Sequence, residues 1–162
     1  MERNTNPEGA AKTKRQITSW DDVIKSEVGH VFHDEFTKGM RFIILRGPAS
    51  LCAYVGLPLE HPLSGQSYDD LTVDCHGGLT FSKEGDGKHL PKSYWWYGWD
   101  YAHCDDASTY DARYPLNRNG KQWTSEMVKD ESFSALYDFE RLMKLAEKIK
   151  ASPVPEAQQS PT

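Results

Sequence analysis

The sequence predicts an α+β domain: an antiparallel sheet of about four to five strands, a long C-terminal helix packed on one face, and a short N-terminal helix. Two observations carry this. Between residues 40 and 102, β-rich runs alternate with turns bearing Gly and Pro. Between residues 125 and 151, apolar residues recur at three- and four-residue spacing, the period of a helix with one buried face. A length of 162 residues is enough for one domain with a real core. Residues 16–150 form that single domain. The polar stretches 1–15 and 151–162, the latter with Pro-X-Pro spacing, are expected to be disordered tails.

The short helix is read over Trp20 to Glu27. Ser19 is its N-cap, Asp21 and Asp22 suit its positive end, and Gly29 would close it. The next run, "HVFHDEFTKG", fits a short strand or an irregular segment. Met40–Leu45 and Leu51–Leu57 are two strands of a hairpin around "RGPAS". Residues 58–70 read as a loop. Strand character returns at 71–76 and 79–82 and, most strongly, in the aromatic run 94–102. Residues 103–124 make a long polar loop of the kind that is usually functional. The last helix should bury Phe133, Leu136, Phe139, Met143, Ala146 and Ile149, with Ser125 or Ser132 as its cap.

Composition excludes several function classes. Apolar residues are 38% and charged residues 27%, a globular balance. The formal net charge of −5 offers no broad attraction for nucleic acid or an anionic membrane. No apolar run approaches the roughly 20 residues of a membrane span. "MERNTNPEGAAKTKR" lacks the hydrophobic stretch of a signal peptide. Three cysteines without CxxC spacing read as reduced thiols of a cytoplasmic protein, with Cys75 and Cys104 as packing residues. No P-loop, GxGxxG or GxSxG is present.

Two runs carry candidate chemistry: "LTVDCHGGLTF" (71–81) and "YWWYGWDYAHCDD" (94–106). Side chains alternate across a strand. Thr72, Asp74 and His76 would share one face. Tyr94, Trp96, Gly98 and Asp100 would face away from Trp95, Tyr97, Trp99 and Tyr101. If the strands are neighbours, His76 and Asp100 meet at one sheet edge, and Gly77, Gly78 and Gly98 let a ligand or a second backbone come close. His103 and Asp106 follow in the same loop. Imidazole and carboxylate side by side are the groups of acid–base work and of divalent-metal sites. His76, Asp100, His103 and Asp106 are thus a candidate metal set, and a divalent metal is the one cofactor they suggest. Tyr54, Tyr68 and His61 are further candidates for a ligand pocket; His30, His33 and His89 read as surface. A plain structural role stands beside each reading: Asp at a strand end caps turns, Gly-Gly makes bends, and rings on a strand face usually form core.

With "AYVGLPLEHPLSGQSYDD", "VDCHGGLTF" and "WWYGWDYAHCDD" in place, the chain resembles a widespread group of small proteins encoded by tailed phages and prophages. Their pattern joins an HGGLTF motif to a GxDxAHxxD motif. The likeness covers residues 53–106. It marks Tyr54 and Gly56, then His61, Pro62, Gly65 and Tyr68, then His76, Gly77 and Gly78, and finally Trp96, Gly98, Asp100, His103 and Asp106. Ala53, Cys75 and Trp99 depart from the common pattern without touching the polar set. The resemblance implies a protein made in a bacterial cytoplasm and, by analogy, one acting against host defence signalling; it implies no particular reaction. Three functions follow: binding a small polar, nucleotide-like ligand; metal-dependent or acid–base hydrolysis with the same residues; and a structural or protein-interaction module without a ligand.

Overall fold

A computed structural model describes residues 18–110 and 120–153. The expected tail 1–15, residues 154–162 of the expected tail 151–162 and the middle of the 103–124 loop lie outside the described residues; Ala151, placed in that tail, is instead the last residue of a helix. Five antiparallel strands form one sheet: β1 (Val31–Thr37), β2 (Met40–Arg46), β3 (Leu51–Pro58), β4 (Phe81–Glu84) and β5 (Tyr94–Asp100), in the order β1-β2-β3-β5-β4. Among the described residues three α-helices accompany them, α1 (Trp20–Lys25), α2 (Ser125–Glu131) and α3 (Phe133–Ala151), with one 3-10 turn at Tyr68–Asp70. The predicted architecture is present, with five strands.

Local chemistry explains each boundary. Ser19 and Asp22 make a reciprocal capping box, with Ser19 N–H donating to Asp22 Oδ2 at 2.8 Å. The undecided run after Gly29 is β1. It meets β2 through a two-residue turn in which Lys38 and Gly39 both have positive φ, +54° and +80°, as a tight hairpin turn needs. The buried Arg46 side chain donates to the carbonyls of Val23 and Gly47 and so ties α1 to the β2–β3 turn.

Three expectations are corrected. Residues 71–76 are not a strand; that stretch runs as irregular chain, and Asp74 N–H donates to the Asp138 carboxylate of α3 at 2.9 Å rather than to a sheet neighbour. The C-terminal helical segment is divided at Ser132, whose hydroxyl bonds back to Val128 O at 2.6 Å. Thr124, not Ser125, caps its first part, and Ser132 stands at the N-cap position of α3 without a side-chain capping bond. The buried stripe therefore runs through Val128, Ser132, Ala135, Phe139 and Met143, while Phe133 and Ile149 are exposed.

Both sheet faces are covered. On one, α1, α2 and α3 pack over Phe42, Ile44, Ala53, Val55, Tyr97 and Trp99. On the other, Leu90 of the β4–β5 connection closes over Ile43, Leu45 and Trp96. Trp96 donates from its indole to Pro91 O at 2.9 Å, which pins that connection down like a strap.

Candidate functional site

The strand alternation of β5 decides where the predicted residues go. Tyr101 follows Tyr97 and Trp99 onto the helix-covered face. Trp96 goes to the strapped face, fully buried. Tyr54 lies there too, its ring 5.5 Å from Phe81 and edge-on to it. Hence neither Trp96 nor Tyr54 shares a hollow with His76.

The two aromatics explain two glycines. In the β3–β5 register Tyr54 pairs with Gly98, and Gly56 with Trp96. A Cβ on Gly98 would fall 2.6 Å from the Tyr54 ring, and one on Gly56 would fall 2.7 Å from the Trp96 ring. These glycines make room for cross-strand rings rather than for a ligand.

His76 finds its carboxylate in the 103–110 loop, not at the end of β5. Its Nε2 lies 2.6 Å from Asp106 Oδ2. Its ring stacks on Tyr101 with centroids 4.6 Å apart and planes 7° from parallel. Trp123 and His103 meet the same ring edge-on at 4.9 and 5.2 Å. Asp106 is 5% exposed and spends both oxygens: the second accepts from Trp123 Nε1 at 2.7 Å, and the first also takes His103 N–H at 2.9 Å. Burial raises its pKa, but the bonds from His76, His103 and Trp123 outweigh that, and the carboxyl titrates below its ordinary value.

On the other side of the ring, Glu131 Oε1 stands 3.8 Å from His76 Nδ1. Its Oε2 accepts a short hydrogen bond from Tyr101 Oη. Burial first, then this carboxylate, pushes the Tyr101 phenol up. Asp100 does not reach His76. It accepts Ala102 N–H at 3.1 Å and lies 3.5 Å from His103 Nε2, which caps the turn after β5.

Gly77 has φ +68°, and a Cβ there would be 2.1 Å from His103 Nε2, so the close approach expected of it is made by an imidazole. Gly78 has φ +80° and open space where a side chain would be. His61 sits apart, with Nε2 3.1 Å from Glu147 of α3 and Nδ1 accepting Leu63 N–H at 3.1 Å, beside a hollow lined by Pro58 and Pro62. His33 is half-buried against Phe42 rather than on the surface. Cys104 is exposed rather than packed, whereas the half-buried Cys75 packs against the core, and burial, Glu131 and Asp74 lift its thiol to about 12.

The candidate metal set does not assemble. Among the described residues no group of three or more His, Cys, Asp or Glu side chains is placed to hold a metal ion. The donors are already committed, His76 and Asp106 to each other and Asp100 to the turn. What the fold does assemble is His76, His103 and Asp106 with Gly77, joined by three residues the motifs did not single out for it: Tyr101, Trp123 and Glu131. Strand alternation placed Tyr101 among core rings. Trp123 and Glu131 are brought in by long-range packing, for which their local sequence carries no signal.

No family model, no curated protein and no solved structure matches this chain. Among the described residues no helix is long and apolar enough to cross a membrane.

Proposed function

We propose that the chain binds a small polar molecule at the corner formed by His76, His103 and Glu131, as an accessory protein of the phage-borne kind that its motifs resemble. The observation that carries this reading is the tethering of His76. A buried carboxylate holds one ring nitrogen, and the imidazole keeps 22% of its side-chain surface open to solvent beside the more exposed His103. Fixing one nitrogen orients the ring and leaves the other free to meet a partner. A nucleotide loses its expected stacking platform, since Trp96 lies on the opposite face; a compact polar ligand suits the corner better. A part in countering host defence rests on the resemblance.

A second reading, a structural clasp without a ligand, is favoured by one observation: Asp106 spends both oxygens inside the fold. Native mass spectrometry of the full chain, purified from bacterial cytoplasm and compared before and after denaturation, separates them. A ligand carried by the wild type, and lost in His103→Gln at unchanged melting temperature, supports binding. An empty wild type, with His76→Gln lowering the melting temperature, supports the clasp. Product masses that change on incubation would instead indicate hydrolysis.

A further inference from the structure

The way His76 is held has a consequence for what it recognises. Asp106 is the acceptor in the pair, because its oxygens also take Trp123 Nε1–H and His103 N–H. In a neutral His76 the hydrogen therefore sits on Nε2, and Nδ1 is an acceptor. Opposite Nδ1 stands Glu131 Oε1, another acceptor, 3.8 Å away. Glu131 cannot turn freely, since its other oxygen is held by the Tyr101 hydroxyl. With His76 neutral, two acceptors thus face one gap with no donor between them among the described residues, too far apart to bond each other.

The surrounding field has the same sense. Glu131, Asp74 and Asp138 raise the neighbouring Cys75 thiol beyond what burial does, and Asp106 lies against His76 itself. Lys121, the one Lys or Arg of this loop among the described residues, lies with its ammonium 4.0 Å over the Trp123 ring.

We infer that the gap between His76 Nδ1 and Glu131 Oε1 recognises a cationic donor carrying at least two N–H groups, an alkylammonium or guanidinium, one hydrogen to each acceptor. This rests on the binding reading above and names its ligand class. The separation fits it: one nitrogen about 2.8–2.9 Å from each atom closes the triangle. A water in that gap would donate to both acceptors without adding charge, and a ligand cation would displace it.

Imidazole ¹⁵N spectra of the full chain, titrated with methylguanidinium, methylammonium and acetate, test this. The expected result has three parts. His76 shows the Nε2–H tautomer. Either cation moves its Nδ1 signal while acetate does not. Glu131→Gln, which keeps an oxygen for Tyr101, weakens the cation response by about tenfold or more. A neutral Nδ1–H tautomer, an equal response to acetate, or an unchanged response in Glu131→Gln overturns the assignment. If acetate moves His76 and the cations do not, the corner still binds a ligand and only its class is wrong. If none of the probes moves His76 or His103, the class assigned here is wrong, and whether the binding reading survives is decided by the ligand recovered in the mass spectrometry above.

Discussion

The helix-covered face of the sheet and the strapped face bury similar aromatic residues but hold their covers in different ways. On the first, α2 and α3 bring Val128, Ala135, Phe139 and Met143 onto the strands, and a buried polar network ties in the loop chain. On the second, one short connection lies over Ile43, Leu45 and Trp96. Its order comes from Asp86, whose Oδ1 accepts the amides of Lys88, His89 and Leu90 at 2.8, 2.9 and 3.0 Å. The difference teaches where function can sit. The strapped face spends its glycines and rings on tight packing. The helix-covered face ends in a polar corner with an open edge.

The strongest test of that contrast is Asp106→Ala. It strips the acceptor from three donors in a largely buried network. The expected loss is about 3–5 kcal/mol in urea unfolding, near the top of the single-substitution range. A cost under about 1 kcal/mol would mean that the network is ornamental. The pH dependence follows from the direction of the Asp106 shift. Its folded pKa lies below the unfolded value of about 3.9, so its contribution is full above that value and lost as pH falls through the folded pKa. The stability gap between wild type and Asp106→Asn should therefore hold from pH 6 to about 4 and narrow as pH falls below that. A gap that widens on acidification contradicts the assignment.

On the strapped face, Gly98→Ala and Gly56→Ala should each cost about 1–3 kcal/mol through overpacking against Tyr54 and Trp96. Gly78→Ala meets no atom within 4 Å and should cost about 1 kcal/mol, from its positive φ alone. Thermal unfolding of the three variants reads this ranking. If Gly78→Ala proved the worst of them, the glycine pattern would instead be serving the polar corner.

The fold was largely legible because it rests on local signals: the capping box at Ser19, the β2–β3 hairpin, the aromatic alternation of β5 and the period of α3. What failed was also physical. Residues 71–76 alternate like a strand, yet their backbone bonds to a helix side chain from Asp138, a partner 64 residues away in sequence. The polar corner was half legible. The motifs carry His76, Gly77, His103 and Asp106. Trp96 and Tyr54 were wrongly grouped with them, although the alternation itself placed Trp96 on the face opposite Tyr101. Gly98 looked like a gap for a ligand because a missing side chain reads the same whether a ligand or a ring from the next strand fills it. Register separates the two, and register is set by the whole sheet.

The mildest perturbation sharpens the comparison most directly. Asp86 is held at about 2 by the amides of Leu90, Lys88 and His89, so it stays ionised throughout the useful pH range. Asp86→Ala removes their common acceptor, but those amides can turn to water, as the buried donors around Asp106 cannot. The strap should loosen locally: hydrogen exchange at Lys88, His89 and Leu90 quickens, while β2 and β3 keep their protection. Trp96 then gains solvent exposure, which its fluorescence reports. The melting temperature should fall less than in Asp106→Ala. Equal losses would show that the strap and the polar corner belong to one cooperative unit, and that the two faces differ in composition only.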